Sequence, residues 1–299
     1  MQQEIEILSR LLGNRYERVR GAVAFIDETF HYASSHDESS FYVIGAAVLP
    51  IEALNSTRKR IADLVGEGYW HTTDSFHKGD QASIRTFLRE IRAMRVSNFV
   101  ATLRGIPEND LEHARRVCLA QALAHLERMN TDLVVIERRD SLAKRNSDTS
   151  LFMRARATGF VKTSMQLIQG HPAAENLLWI PDLVCWAYRR FIAVGETEWL
   201  RCLEVSQAEE QSESEFRLKK KRSEPALQSS SDPEGHMGHL GAVTHRSSKT
   251  SIAQIACGEA LPVHKLITDL EPPLMASSLS IWLEQEFSDP GEKFTGPVA

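Results

Sequence analysis

Near the start of the chain Ile5, Leu8, Leu11 and Leu12 recur at helical spacing, which predicts a short amphipathic helix ahead of the core. From Gly21 the period changes. Ala22 to Ile26 run apolar into Asp27 and Glu28, a Ser/His/Asp-rich turn follows, and a second apolar run spans residues 41–49. This reads as two strands joined in hairpin style. Pro50 then opens a helix carrying Leu54, Ile61, Leu64 and Val65, which stops near Gly66. A polar stretch over residues 69–77 leads to a second helix over residues 81–95. There Ile84, Phe87, Leu88, Ile91 and Met94 form the apolar stripe, and Arg85, Arg89 and Arg92 line another face. Such an arginine row either tracks phosphates or lies in solvent.

The pattern continues with a third strand over residues 96–103, a long helix over 110–129 and a fourth strand over 132–137. A helix over 150–169, a short strand over 176–180 and a final helix over 181–194, with Pro181 in its first turn, complete the series. Two strands in hairpin style, then alternating helix and strand, describe an α/β protein with a mixed sheet flanked by helices. Beyond Val205 the character changes. Residues 206–251 hold ten serines, the basic run Lys219, Lys220, Lys221 and Arg222, and a single aromatic, Phe216. Too little apolar surface is available there to offset chain entropy, so a disordered linker is expected. The basic run reads as a solvated cluster or as a localisation or nucleic-acid patch. In the last segment, residues 252–299, Leu279, Trp282, Leu283 and Phe287 have the spacing of a short helix suited to docking a protein partner. The expected organisation is thus a folded domain over 1–205, a linker over 206–251 and a loosely structured terminus over 252–299.

Composition adds one correction to a first impression. The 299 residues carry a formal net charge of -5 and are 42% hydrophobic, a globular composition. A mildly acidic total argues against a nucleic-acid partner, but the average hides a split. Through Val205 there are 26 basic and 26 acidic residues, so the whole deficit lies in the tail. The basic residues of the first part are 22 arginines and four lysines, Lys59, Lys78, Lys144 and Lys162. Arginine offers a planar fork suited to phosphate and carboxylate, although codon bias produces the same excess. Cys118, Cys185, Cys202 and Cys257 form no CxxC pair, which fits reduced thiols and a cytoplasmic location. The first ten residues are acidic where a signal peptide is basic, and charges interrupt every apolar run, so no membrane association is expected.

The candidate chemistry lies in carboxylates at strand ends and helix starts. Asp27 and Glu28 close the first strand, Glu137 closes the fourth, and Asp182 opens the last helix. In open α/β sheets ligands collect outside the carboxyl ends of strands. If the first and fourth strands are parallel neighbours, Asp27 and Glu137 approach each other and Asp182 comes in from the side. Unpaired acids in such a cluster repel, and Mg2+ or Mn2+, which prefer oxygen ligands, relieve the repulsion. Taken singly, each acid also has a structural explanation: strand closure for Asp27 and Glu28, and a favourable helix first turn for Asp182. Adjacent strand residues point to opposite faces, which favours Asp27 over Glu28 as the inward acid. His71, Asp74 and His77 lack a cysteine partner or a helical His pair, so no zinc site is expected.

Five segments carry a family resemblance: Phe25-Ile26-Asp27-Glu28-Thr29; the strand from Phe41 through Gly45; Trp70-His71-Thr72-Thr73-Asp74; the strand ending Ile136-Glu137-Arg138; and Ile180-Pro181-Asp182-Leu183. In this order they resemble the motifs of an uncharacterised ribonuclease H-like family, domain of unknown function 3800, over roughly residues 20–195. That family's pattern is a strand ending Ile-Asp-Glu-Ser, a Gly-containing second strand, a Glu-x-His element, a strand ending in Asp, and a helix opening Leu-Ala-Asp-Leu. The chain departs from it at Thr29, at Tyr69 where an acid is expected before His71, at Glu137 for Asp, and at Pro181 for Ala. Glu67 is the nearest acid available to substitute for the one missing at Tyr69.

The resemblance implies a ribonuclease H-like fold and a Mg2+- or Mn2+-dependent nuclease or polynucleotidyl transferase. Metal ligands would come from Asp27, Glu28, Glu137 and Asp182, with His71 orienting water or phosphate. A non-catalytic module binding nucleic acid or protein is the competing expectation.

Overall fold

The structure is a computed structural model that describes residues 2–32, 40–66, 68–106 and 110–203. The linker, the basic run 219–222, the helix expected around Trp282, Glu67 and Cys257 lie outside the described residues. An N-terminal helix α1 (Gln2–Tyr16) precedes strands β1 (Ala22–His31) and β2 (Phe41–Pro50). Pro50 starts a 3-10 turn that runs into α2 (Leu54–Val65), and α2 stops at Gly66, whose φ of 74° is one that side chains other than glycine resist. The polar stretch after it holds a short helix, α3 (Thr72–His77), followed by α4 (Gln81–Ala93), β3 (Ser97–Arg104), α5 (Leu111–Arg128) and β4 (Thr131–Glu137).

The next stretch corrects the sequence reading. The helix expected over 150–169 is two elements: α6 (Leu142–Ala157), capped by Ser141, and β5 (Gln166–Gly170). The strand expected over 176–180 is a 3-10 turn, Asn176–Leu178, leading directly into α7 (Trp179–Val194). A final turn, α8 (Glu198–Arg201), ends the described part. Among the described residues no helix is long and apolar enough to cross a membrane.

The five strands lie in the order β3-β2-β1-β4-β5. β2 is antiparallel to both its neighbours, and β1, β4 and β5 run parallel. The result is the expected α/β arrangement, a five-stranded mixed sheet with helices on both faces. Each face has its own core because residues on a strand alternate sides. Val23, Phe25, Val43, Leu133 and Val135 pack on one face with α1, α2, α4 and α7. Ala24, Ile26, Ile44, Val134 and Ile136 pack on the other with α5 and α6. The same parity decides where the acids go. Asp27 and Glu137 continue the α7 face, whereas Glu28 continues the α5 face.

Candidate active site

β1 and β4 pair in parallel up to Ile26 and Ile136, so Asp27 and Glu137 are the next residues on neighbouring strands. Asp182 comes from the first turn of α7, which lies across the same end of the sheet. Two local features bring that helix close. Gly45 sits opposite Asp27 on β2, and a Cβ there would stand 2.6 Å from Cys185 Sγ and 3.4 Å from the Pro181 carbonyl oxygen. Cys185 Sγ in turn approaches the Asp27 carbonyl oxygen at 3.4 Å. The start of α7 is pinned from behind by Glu175, which accepts from the Leu177 amide. Glu175 also accepts from Tyr16 Oη at 2.6 Å and from Arg58 Nε and Nη2 at 2.9 and 2.8 Å. Helices α1 and α2 thereby hold the segment that delivers Asp182.

Asp27, Glu28, His71, Glu137 and Asp182 all line one cavity of about 500 Å³. The cavity therefore collects the four candidate metal ligands and His71, although not in equal roles. Burial, followed by the charges of Glu137, Asp182 and Glu28, pushes the Asp27 carboxyl well above the usual range. Burial raises Glu137 to about 7, opposed by the Asp27 side chain beside it. Asp182 is also raised by burial, opposed by its hydrogen bonds to Thr72. Its Oδ2 accepts from the Thr72 amide at 3.0 Å and from Thr72 Oγ1 at 2.7 Å, while Trp70 Nε1 donates to that hydroxyl at 2.9 Å. His71 is exposed, lies 3.2 Å from Asp74 through Nδ1, and lowers the pKa of both Glu137 and Asp182.

Glu28 is engaged elsewhere. Its Oε2 lies 2.6 Å from Arg115 Nη1, and Arg115 is 1% exposed. The same guanidinium holds Asp148 through two 2.8 Å bonds and reaches Tyr42 Oη at 3.1 Å. Sequence reasoning missed this network because Arg115 lies near the start of α5 beside Glu112, His113 and Arg116, where one more charge reads as solvated surface. It also missed Thr72 and Trp70 as holders of Asp182, although both fall inside a motif quoted for its histidine.

The donor set suits a hard divalent cation: three carboxylates from three elements, two of them the next residues after the paired ends of neighbouring parallel strands. Among the described residues no group of three His, Cys, Asp or Glu side chains is arranged to hold a metal ion as the side chains stand. Mg2+ does not require such a cage, since it is commonly held by one or two carboxylates together with waters and substrate phosphates. On that criterion the residues present fit the ion.

No protein-family model and no curated protein matches the chain. Two solved structures are similar in part. The ribonuclease H2 of Pyrococcus horikoshii OT3 is 16% identical with a TM-score of 0.35, the alignment covering 68% of this chain and 90% of that one. Bst-RNase HIII in complex with Mn2+ is 11% identical with a TM-score of 0.34, covering 62% and 56% respectively. Neither likeness bears on substrate or chemistry, which rest on the residues of this chain.

Proposed function

We propose that the protein is a divalent-metal-dependent nuclease or polynucleotidyl transferase whose metal ligands are Asp27, Glu137 and Asp182. The observation that carries this reading is the convergence of those three carboxylates, each raised in pKa, on one open cavity at the carboxyl end of parallel strands. A phosphodiester is itself anionic, so three acids without a counter-ion repel it. Mg2+ or Mn2+, when bound, neutralises that charge and lowers the pKa of a coordinated water. Asp27 at the end of β1, Glu137 at the end of β4 and Asp182 on α7 would supply its oxygen ligands. Thr72 fixes the direction of Asp182 through its amide and hydroxyl, leaving Oδ1 of that carboxylate for the cavity. His71, exposed at the rim, is placed to hold the attacking water or a phosphate oxygen. Glu28 stays on Arg115 and acts on the centre by charge rather than as a ligand.

The test is incubation of the full chain with single-stranded and duplex DNA, RNA and RNA:DNA hybrid, in Mg2+, Mn2+ or chelator. Cleavage should need the cation and fall at least about 100-fold in both Asp27→Asn and Asp182→Asn, the order expected when a group acting at the reacting centre is removed. Cleavage that survives both substitutions overturns the assignment. Binding without cleavage under any cation would favour a non-catalytic module on the same fold.

A further inference from the structure

The wall around the acids carries two kinds of side chain that the metal reading does not use. Arg138, Arg139, Lys144 and Arg189 all line the cavity. Arg138 is ion-paired with Glu4 and Arg139 with Glu112. Lys144, at the start of α6, and Arg189, on α7, are exposed and make no ion pair among the described residues. Two aromatic rings that line the same cavity stand in solvent, Tyr69 at 53% and Phe30 at 42% exposure. Both are braced. Tyr69 meets Trp179 edge-on, with centroids 6.1 Å apart and planes at 84°, and Phe30 lies parallel to Tyr42 at 6.0 Å and 10°. Burial and the charges of Glu137, Asp182 and Asp27 push the Tyr69 hydroxyl up to about 12, so this ring stands beside the acids themselves. Tyr69 is also the position at which the chain departs from the acid expected before His71.

We infer, building on the metal-centre reading, that the substrate is a single-stranded nucleic acid, its unpaired bases stacking on Tyr69 and Phe30 and its phosphates taken by Lys144 and Arg189. Exposed rings next to free cations are the combination that follows a strand, because each nucleotide offers one π face and one phosphate. In a duplex those faces are already covered by neighbouring bases, and the rings have nothing to stack on. Size points the same way. A cavity of about 500 Å³ admits a nucleotide, and an unpaired strand can turn a base into it where a duplex must first unpair and unstack one.

The experiment measures binding of the full chain by fluorescence anisotropy in chelator, so that cleavage does not intervene. Probes are labelled DNA and RNA strands of about 20 nucleotides and the corresponding duplexes and hybrid. A single strand should bind at least about 10-fold tighter than any duplex, the tighter of the DNA and RNA arms identifying the sugar. Tyr69→Ala should weaken strand binding about 5- to 100-fold, and Tyr69→Trp should restore it. Lys144→Ala should reduce the slope of log affinity against log salt by about 0.7. Duplex binding as tight as strand binding overturns the inference, as does a Tyr69→Ala protein within about twofold of wild type. Calorimetry with Mn2+ separates this from the reading on which it builds. Mn2+ binding that is lost in Asp27→Asn, with no strand preference, overturns the substrate alone. A strand preference depending on Tyr69, without Mn2+ binding, supports the strand site and overturns the metal centre.

Discussion

Thr72 is fully buried, and its hydroxyl donates to Asp182 while receiving the Trp70 indole N–H. The hydroxyl is therefore saturated, and it holds a carboxylate that burial would otherwise favour in the neutral form. Thr72→Val keeps the shape and removes only the oxygen. It should cost about 1–3 kcal/mol in urea unfolding, because the Trp70 N–H is left without an acceptor. It should also weaken Mn2+ binding about 10- to 100-fold by calorimetry, the usual effect of losing a group that orients a ligand. Thr72→Ser should recover the affinity; unchanged affinity in the valine variant would remove Thr72 from the site. Arg115 shows the opposite economy. Breaking a buried ion pair costs about 3–5 kcal/mol, and although Arg115 keeps Asp148 when Glu28 leaves, even part of that cost is enough to hold Glu28 on its own side of the sheet.

At the scale of elements, the site depends on how near α7 can come to β1 and β2. Gly45 sets that distance, because an added Cβ meets Cys185 Sγ at 2.6 Å and the helix backbone at 3.4 Å. Gly45→Ala should cost about 1–3 kcal/mol from overpacking. The double substitution with Cys185→Ala should recover part of it, giving a coupling above about 0.5 kcal/mol in a denaturation cycle. Additive losses would mean that the two do not touch. The motif carrying Gly45 was legible in the sequence, as were β1, β2, β3, β4 and the helices with a clear apolar stripe. What was hidden has physical causes. β5 is a five-residue strand with Leu167 and Ile168 half-exposed at the sheet edge, so it offers no alternation to read and extends the helical period of Leu151, Phe152 and Ala155 by accident. Gly159, at φ 73°, was the available stop signal. The run from Asn176 to Ile180 is too short for periodicity to tell strand from helix. Of the site, the acids were legible because charges at the end of apolar runs stand out. Thr72, Arg115 and Tyr69 act through partners far away in sequence, which no local pattern contains.

For the whole molecule, the described residues alone supply a core on each face of the sheet. A chain ending after Val205 should therefore remain soluble and unfold in a single cooperative transition, with the same Mn2+ affinity as the full protein. Precipitation or a broad, multi-step melt would assign the terminal segment to the core. The part through Val205, which carries the sheet, is neutral and arginine-rich while the excess acid lies beyond it.

The two acids at the end of β1 have a consequence for the register of the central strand. They stand back to back, Asp27 toward α7 and Glu28 toward the Arg115 guanidinium. A one-residue slip in one direction would bring Glu28 to the α7 face and Thr29 opposite Arg115, so the buried guanidinium would lose one of its two carboxylates. A slip the other way would bring Asp27 opposite Arg115 and Ile26 to the centre, leaving β1 with no acid there. Either error of register removes a charge from one face, so the back-to-back acids lock the alignment of the central strand as well as supplying charge.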